Sequence, residues 1–369
     1  MAKPAVALAA VALLLVSAGA GTTGTSSLNI VILNASGLPA SSVYVMLHGG
    51  SSSDGKLQNG VPKRLDQLAG SRFTIGPLNA GRLFFSYKAA VNAAEPPTWP
   101  TRYDKVEFTY PGVANMTAVD FFGIPFRLGT FDAQGHPIGS LIYSATTNTI
   151  KSELLKIPGA GHALVKTNDG QFARILSPQL SQSSYPTFAQ DISSMAGKSV
   201  TIRGAFYGNP YQTFSYTGTF AQDGSITLNG TIAAPNGGSP SPPSPVSVTG
   251  SSLPSAIYTV NGPYTVGGQP AHVSDNNVYS VVYRDLISGF ASGYVGGRYG
   301  NDSANWAGKP PFAAARKTTT PYTTYNQYAA VIYKYSNAYG FSFSDTLPKK
   351  IVLGLNDAST LRITILPDS

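Results

Sequence analysis

The sequence predicts a mainly β fold: a barrel or sandwich built from both ends of the chain, with a mixed α/β segment inserted between. Three observations carry this. Charged residues make up only 11% of the 369, less than half the usual share of about 25%. Glycine (39), proline (27) and tyrosine (21) are plentiful, whereas helices favour Glu, Lys, Leu and Ala. Short apolar runs bounded by turn residues recur near both termini, the pattern of sandwich or barrel strands.

The N-terminus has the features of an export signal. Lys3 supplies the positive start, Ala5 to Val16 form an unbroken apolar run, and Ala18-Gly19-Ala20 provides small residues for cleavage near Ala20. This predicts a signal peptide over 1–20 and a secreted product with no membrane segment after cleavage. The run is too short for a span, and no later stretch reaches about 18 apolar residues. No cysteine is present, which excludes thiol chemistry, Cys-based metal sites and disulfides. At this length a hydrophobic core suffices for stability. The net charge of +8 comes from scattered Lys and Arg. It predicts a soluble basic surface and no nucleic-acid partner.

Thr22–Ser27 reads as a linker. Leu28–Leu33 and Val43–Leu47 read as strands, joined as a hairpin through Asn34-Ala35-Ser36-Gly37. Arg72–Ile75, Gly81–Tyr87, Lys105–Tyr110 and Thr117–Phe122 continue the β pattern. Segments Ser140–Leu155 and Gly170–Leu180 carry helix-compatible spacing, and Asp191 is a plausible cap for the segment before Met195. Alternation returns over Ser199–Arg203, Thr213–Phe220 and Ser225–Ile232. The Pro/Ser/Gly stretch 236–254 predicts a surface loop. Tyr279–Ala291 and Tyr325–Tyr335 read as helices, the latter with Tyr328, Val331, Ile332 and Tyr335 on one face. Lys350–Leu353 and Leu361–Leu366 are strands again. The implied division is 28–138 with 337–369 for the β domain and 139–336 for the mixed domain. The boundary between two such domains makes a natural ligand cleft.

Chemistry narrows by elimination. The four histidines, His48, His136, His162 and His272, stand in no metal-ligand spacing, so no metal or other cofactor is expected. His48, at a strand end, reads as a structural residue. No Gly-x-Ser-x-Gly marks a serine nucleophile, and the glycines of 289–300 lack the Lys-Ser/Thr ending of a phosphate loop. Carboxylates remain, and only three glutamates exist, Glu95, Glu107 and Glu153. Glu107 and Asp120 lie on consecutive predicted strands joined by the six residues Pro111–Met116, so antiparallel pairing brings them near each other. Val106, Phe108, Val119, Phe121 and Phe122 flank them, and apolar surroundings raise a carboxyl pKa by desolvation, as a general acid requires. Solvent-facing positions on half-exposed strands are the alternative. Trp99, Trp306 and Tyr103 are candidates for stacking on a ligand, read first as core or loop packing; Asp104 and Asp345 are further acidic candidates, read first as caps or surface groups.

The segments Tyr103-Asp104-Lys105-Val106-Glu107-Phe108-Thr109 and Asn115-Met116-Thr117-Ala118-Val119-Asp120-Phe121-Phe122-Gly123-Ile124-Pro125 resemble the signature of glycoside hydrolase family 64, β-1,3-glucanases that release laminaripentaose. Leu28–Asn34 with Ser36-Gly37-Leu38 and Val43-Tyr44-Val45 resembles that family's opening strands. Asn326–Ile332 and Ala338–Asp345 resemble its C-terminal motifs. The resemblance implies a thaumatin-like β-barrel with a mixed α/β domain and a broad cleft. It implies an inverting hydrolase acting on β-1,3-glucan, with Glu107 as general acid and Asp120 as general base. It places Thr109 and Thr117 beside the pair; these two, with Tyr103 and Tyr110, are the expected substrate-binding residues. Inversion requires carboxyl groups about 6.5–9.5 Å apart. The chain departs from the family in having no Trp between Glu107 and Asp120, and Ser344-Asp345 in place of an aspartate-rich end. A monomer is expected. The alternative reading on the same scaffold is a non-catalytic glucan- or cell-wall-binding protein.

Overall fold

The computed structural model describes residues 27–208, 210–233, 243–313 and 315–369; the proposed signal peptide and most of the linker lie outside them. The first ten strands are β1 (Leu28–Asn34), β2 (Val43–His48), β3 (Lys63–Arg64), β4 (Arg72–Ile75), β5 (Leu78–Tyr87), β6 (Tyr103–Tyr110), β7 (Val113–Met116), β8 (Phe121–Phe122), β9 (Phe126–Phe131) and β10 (Pro137–Ile142). The middle of the chain holds α1 (Thr147–Leu155), β11 (Leu164–Lys166), β12 (Phe172–Leu176), α2 (Ala189–Ser193), β13 (Ser199–Phe206), β14 (Gln212–Thr219), β15 (Ile226–Ala233), β16 (Val246–Val248), α3 (Leu253–Thr259), β17 (Tyr264–Val266), β18 (Gln269–Ala271), α4 (Val278–Ala291) and α5 (Gln327–Tyr335). Strands β19 (Val352–Gly354) and β20 (Thr360–Ile365) close it.

Strand β1 alternates cleanly: Leu28, Ile30 and Ile32 are buried while Asn29, Val31 and Leu33 face outward to differing degrees. It pairs parallel with β20, Ile30 opposite Leu361 and Ile32 opposite Ile363. Their five-stranded sheet runs β10-β9-β20-β1-β4, and a six-stranded sheet runs β19-β7-β6-β5-β2-β3. The two meet through their apolar faces, with Phe85 of β5 and Phe126 of β9 at 5.2 Å between rings. Each such fully buried side chain contributes about 1.5–3 kcal/mol. The fold is mainly β, as composition predicts.

A second six-stranded sheet, β13-β14-β15-β16-β17-β18, is wholly antiparallel and packs against α4. Helix α4 starts at Asn277, whose side chain accepts from Ser280 N, and buries Val282, Leu286, Ile287 and Phe290. Helix α5 is capped in the same way by Asn326.

Five local expectations are corrected. Strands β1 and β2 do not form a hairpin: they belong to different sheets, because the short Ala40–Ser42 turn carries the chain across the core instead of reversing it. Residues 172–176 are a strand, paired with β8 and β11, not a helix. Only the second half of Ser140–Leu155 is helical; its start completes β10. Asp191 does not cap α2 but sits buried within its first turn, paired with Arg316. In the stretch 236–254, Val246 and Val248 are buried strand residues and Pro254 lies in the first turn of α3, where a missing N–H costs nothing. Residues 236–242 of that stretch lie outside the described residues.

Candidate active site

The site begins with the alternation of β6. Asp104, Val106, Phe108 and Tyr110 face the core, and Tyr103, Lys105, Glu107 and Thr109 share the opposite face. All eight are buried, because β5 and β7 flank the strand and other chain segments cover its outer face. Glu107 stands opposite Arg82 on β5 and Asn115 on β7. Arg82 Nε donates to Glu107 Oε1 at 3.1 Å. Two residues back, about 6.6 Å along the strand, Lys105 reaches Asp120 Oδ2. The Lys105 side chain is 4% exposed and that of Asp120 17%.

Asp120 does not lie across the hairpin from Glu107, as expected from the sequence. Strands β6 and β7 reverse tightly through Pro111-Gly112. Gly112 has φ +146°, and a Cβ there would stand 3.0 Å from the Thr109 carbonyl. Asn115 therefore takes the position opposite Glu107, and the chain leaves the sheet after Met116. The short segment 117–120 is pinned from three sides. Ala118 N donates to Tyr339 O at 2.8 Å and Tyr339 N to Met116 O at 3.0 Å. The Tyr328 hydroxyl donates to Ala118 O at 3.0 Å. Ser177 N donates to Asp120 O at 2.8 Å. The C-terminal motifs thus hold the segment that presents Asp120.

The core face of β6 contributes too. Asp104, 2% exposed, accepts from Gly123 N at 2.7 Å, Ile124 N at 3.0 Å and Lys105 N at 2.8 Å. It locks the turn following Phe121-Phe122 onto the strand. Burial pushes its carboxyl up to about 7, with the three amide donors pulling the other way. Lys105 is the central cation of the site: burial works against its charge, but Asp120 first and Glu107 second outweigh that and raise its pKa. Lys105 is thus bonded to Asp120 and also feels the charge of Glu107, whose own ion-pair partner is Arg82. Neither sits in the apolar surroundings that the flanking residues suggest, since strand alternation turns Val106 and Phe108 to the other face, and each carboxylate faces a cation.

Beside Asp120 opens a cavity of about 320 Å³, walled by Phe84, Tyr103, Lys105 and Phe121 from the terminal strands and by Gln179 and Asn261 from the middle of the chain. Tyr103 is the aromatic residue the sequence places here. Its ring packs edge-on to Phe121 at 5.2 Å and carries the Arg174 guanidinium 3.8 Å from its centroid. Arg174, fully buried, also donates to the carbonyls of Pro97, Trp99 and Thr101, fixing the loop at the cavity mouth.

Thr109 lies on the Glu107 face, where its Oγ1 accepts from Ala80 N at 3.2 Å. Thr117 uses its Oγ1 to accept from Val119 N at 3.3 Å and shapes the segment before Asp120. Tyr110 lies on the core face of β6, turned from Glu107 by the two-residue period, and does not line this cavity. Trp306 stacks on Tyr294 away from this cavity. Asp345 lies in a turn between Phe343 and Thr346, near enough for its charge to act on Tyr339, on which Glu107 acts as well. The sequence reading missed Arg82, Lys105, Tyr328 and Tyr339. The one available signal was Lys105, which shares the odd-numbered face of a strand with Glu107. No group of three or more metal-ligating side chains occurs among the described residues.

A family model described as β-1,3-glucanase, glycoside hydrolase family 64, matches residues 65–362. No curated protein sequence matches. Among solved structures, a laminaripentaose-producing β-1,3-glucanase in complex with laminaritetraose is 17% identical, covering 94% of this chain and 100% of that one, with a TM-score of 0.62. A β-1,3-glucanase domain from Clostridium beijerinckii is 14% identical over 94% and 100%, with a TM-score of 0.63. A laminaripentaose-producing enzyme from Paenibacillus barengoltzii, complexed with laminarihexaose, is 12% identical over 92% and 75%, with a TM-score of 0.52. These likenesses show a shared fold, and the family match, spanning most of the chain, shows more: this chain belongs to glycoside hydrolase family 64, the β-1,3-glucanases.

Proposed function

We propose that the protein is exported and hydrolyses β-1,3-glucan with inversion, using Glu107 as general acid and Asp120 as general base. The observation that carries this is a cavity large enough for a sugar that Asp120 and its partner Lys105 line, with Glu107 two residues from Lys105 on the same face of β6. Glu107 donates its proton to the glycosidic oxygen as the C1–O bond breaks. Asp120 takes a proton from a water that attacks C1 from the opposite face. Glu107 ends ionised and Asp120 protonated, and solvent exchange restores both. Two solved relatives are complexes with laminaritetraose and laminarihexaose, which supports a β-1,3-linked glucose chain as substrate. The Lys3 and Ala5–Val16 pattern supports export.

The test is reducing-sugar release from β-1,3-glucan, with cellulose as control, by wild type, Glu107→Gln and Asp120→Asn. Loss of about 10²–10⁴-fold in each variant is expected. Proton NMR of the first product is expected to show the α-anomer. A β-anomer would sink the inverting assignment, and a folded wild type that pellets with glucan but releases no sugar would favour the binding-protein reading.

A further inference from the structure

A second cavity, of about 250 Å³, lies along α4 and shares no lining residue with the first. One of its residues lacks the partner that a buried polar group normally has. The other serine of α4 and the one that follows it return their hydroxyls to the backbone: Ser280 Oγ donates to Asp275 O at 2.5 Å, and Ser292 Oγ to Ser288 O at 2.6 Å. Ser288 does not. It is 4% exposed, lines the cavity, and its Oγ has no hydrogen-bond partner. Asp285, one turn earlier on the same face and half-buried, lines the cavity as well. Burial first, opposed by Arg284 and reinforced by Asp345, pushes its carboxyl up to about 7. An orphaned buried hydroxyl costs about 1–3 kcal/mol, so such a group calls for an explanation.

The other walls say what fits. Arg203 lines the cavity while its Nε is engaged by Asp302 at 3.2 Å and its Nη1 by Ser215 at 2.9 Å. Trp306 lines it too, stacked on Tyr294 with ring centres 5.5 Å apart and its Nε1 donating to Gly300 O. A cation would meet Arg203, and an anion would meet Asp285. An apolar group would leave the Ser288 hydroxyl unpaired and the Asp285 carboxyl desolvated. A neutral polyhydroxylated ring satisfies all of them: it can give a hydrogen bond to Asp285, exchange one with Ser288 and lie against Trp306.

We propose that this cavity is a second saccharide site that holds one glucosyl unit of a β-1,3-glucan chain away from the bond being cleaved. The choice of glucan rests on the proposed hydrolase function. Two sites on one molecule would hold it to a polymer far longer than either alone.

The test uses the full chain carrying Glu107→Gln and labelled with ¹⁵N, titrated with the β-1,3-linked disaccharide of glucose. The chain has two tryptophans, so two indole N–H resonances report separately. Trp306 reports on the second cavity, and Trp99 on the loop that gives Pro97 to the first. The expected result is a saturable shift of the Trp306 signal, weakened about tenfold by Ser288→Ala and again by Asp285→Asn, as loss of about 1.4 kcal/mol gives. Ser288→Ala should not lower the melting temperature, since it removes a hydroxyl without a partner; a clear fall would show that the hydroxyl is bonded and overturn the proposal. A shift of Trp99 with Trp306 unmoved, or a Trp306 shift indifferent to both substitutions, would overturn the second site and leave the hydrolase reading intact. No shift at either indole, with no sugar released by wild type, would overturn both.

Discussion

At the scale of single residues, the site is organised by Lys105. Taking an ammonium out of water is costly, and its presence at 4% exposure is explained by its ion pair with Asp120 and the nearby charge of Glu107. Lys105→Met keeps the length of the side chain and removes the charge. The carboxylate of Asp120 then loses the group that aims it. The expected outcome is a fall in kcat of about 10²-fold, the scale of a misplaced reacting group, with a much smaller change in KM. Steady-state kinetics on soluble β-1,3-glucan check this. An equal change in KM with kcat preserved would show that Lys105 binds substrate without orienting the base. Tyr103 and Tyr110 make a parallel lesson: seven residues apart on one strand, they face opposite sides, and only Tyr103 lines the cavity.

At the scale of elements, the distance in sequence between the 117–120 segment and α5 hides a direct dependence. Tyr328, on the first turn of α5, holds the Ala118 carbonyl, and Tyr339, four residues past the helix, brackets Met116 and Ala118. Helix α5 begins at Asn326, 1% exposed, whose Oδ1 accepts from Ala329 N at 3.0 Å. Asn326→Ala is expected to lower stability by about 1 kcal/mol, the usual contribution of such a cap, seen as a shift of the urea midpoint with unchanged slope. Activity should fall with it, because fraying the first turn loosens Tyr328 from Ala118. Stability lost with full activity would mean that the 117–120 segment is held without α5.

At the scale of the whole molecule, pH acts through buried carboxyls. Asp104 and Asp285 each have a folded-state value pushed up to about 7 by burial, against an ordinary 3.8 that the unfolded chain recovers. Between those values the folded protein holds protons that the unfolded chain has released. Stability is therefore greatest at the acidic end and declines as pH rises from about 4 through 7. Melting temperatures taken from pH 5 to pH 8 should fall, and Asp285→Asn should flatten the slope. A curve that rises over this window would show that these carboxyls are ionised in the fold. The basic surface adds a second global property: at +8, weakening of any acidic contact by salt should occur without loss of glucan hydrolysis, since the proposed substrate is neutral.

How much of this the sequence contained can be traced residue by residue. Alternation identified β1, β6, β13, β14, β15 and β20, because strands with one face in the core repeat every two residues whatever lies around them. Helices α4 and α5 were legible through their helical spacing, while their Asn caps emerged only from the structure. Glu107 and Asp120 stood out by the scarcity of carboxylates and by family resemblance. Partnership across sheets was not legible. Strands β1 and β2 each read as a strand, but which sheet each joins depends on contacts with β20 and β5, far along the chain. The strand at 246–248 was obscured by its Pro/Ser surroundings, since composition speaks for a stretch and not for two valines within it. The cations facing the carboxylates belong to the same class: Arg82 meets Glu107 only because β5 and β6 pair in a particular register. By itself the sequence determined the β character, the strand faces and the two carboxylates, all properties of local pattern and residue type. Tertiary structure alone decided what each carboxylate faces, because burial and charge around a side chain come from segments that meet only when the chain closes on itself.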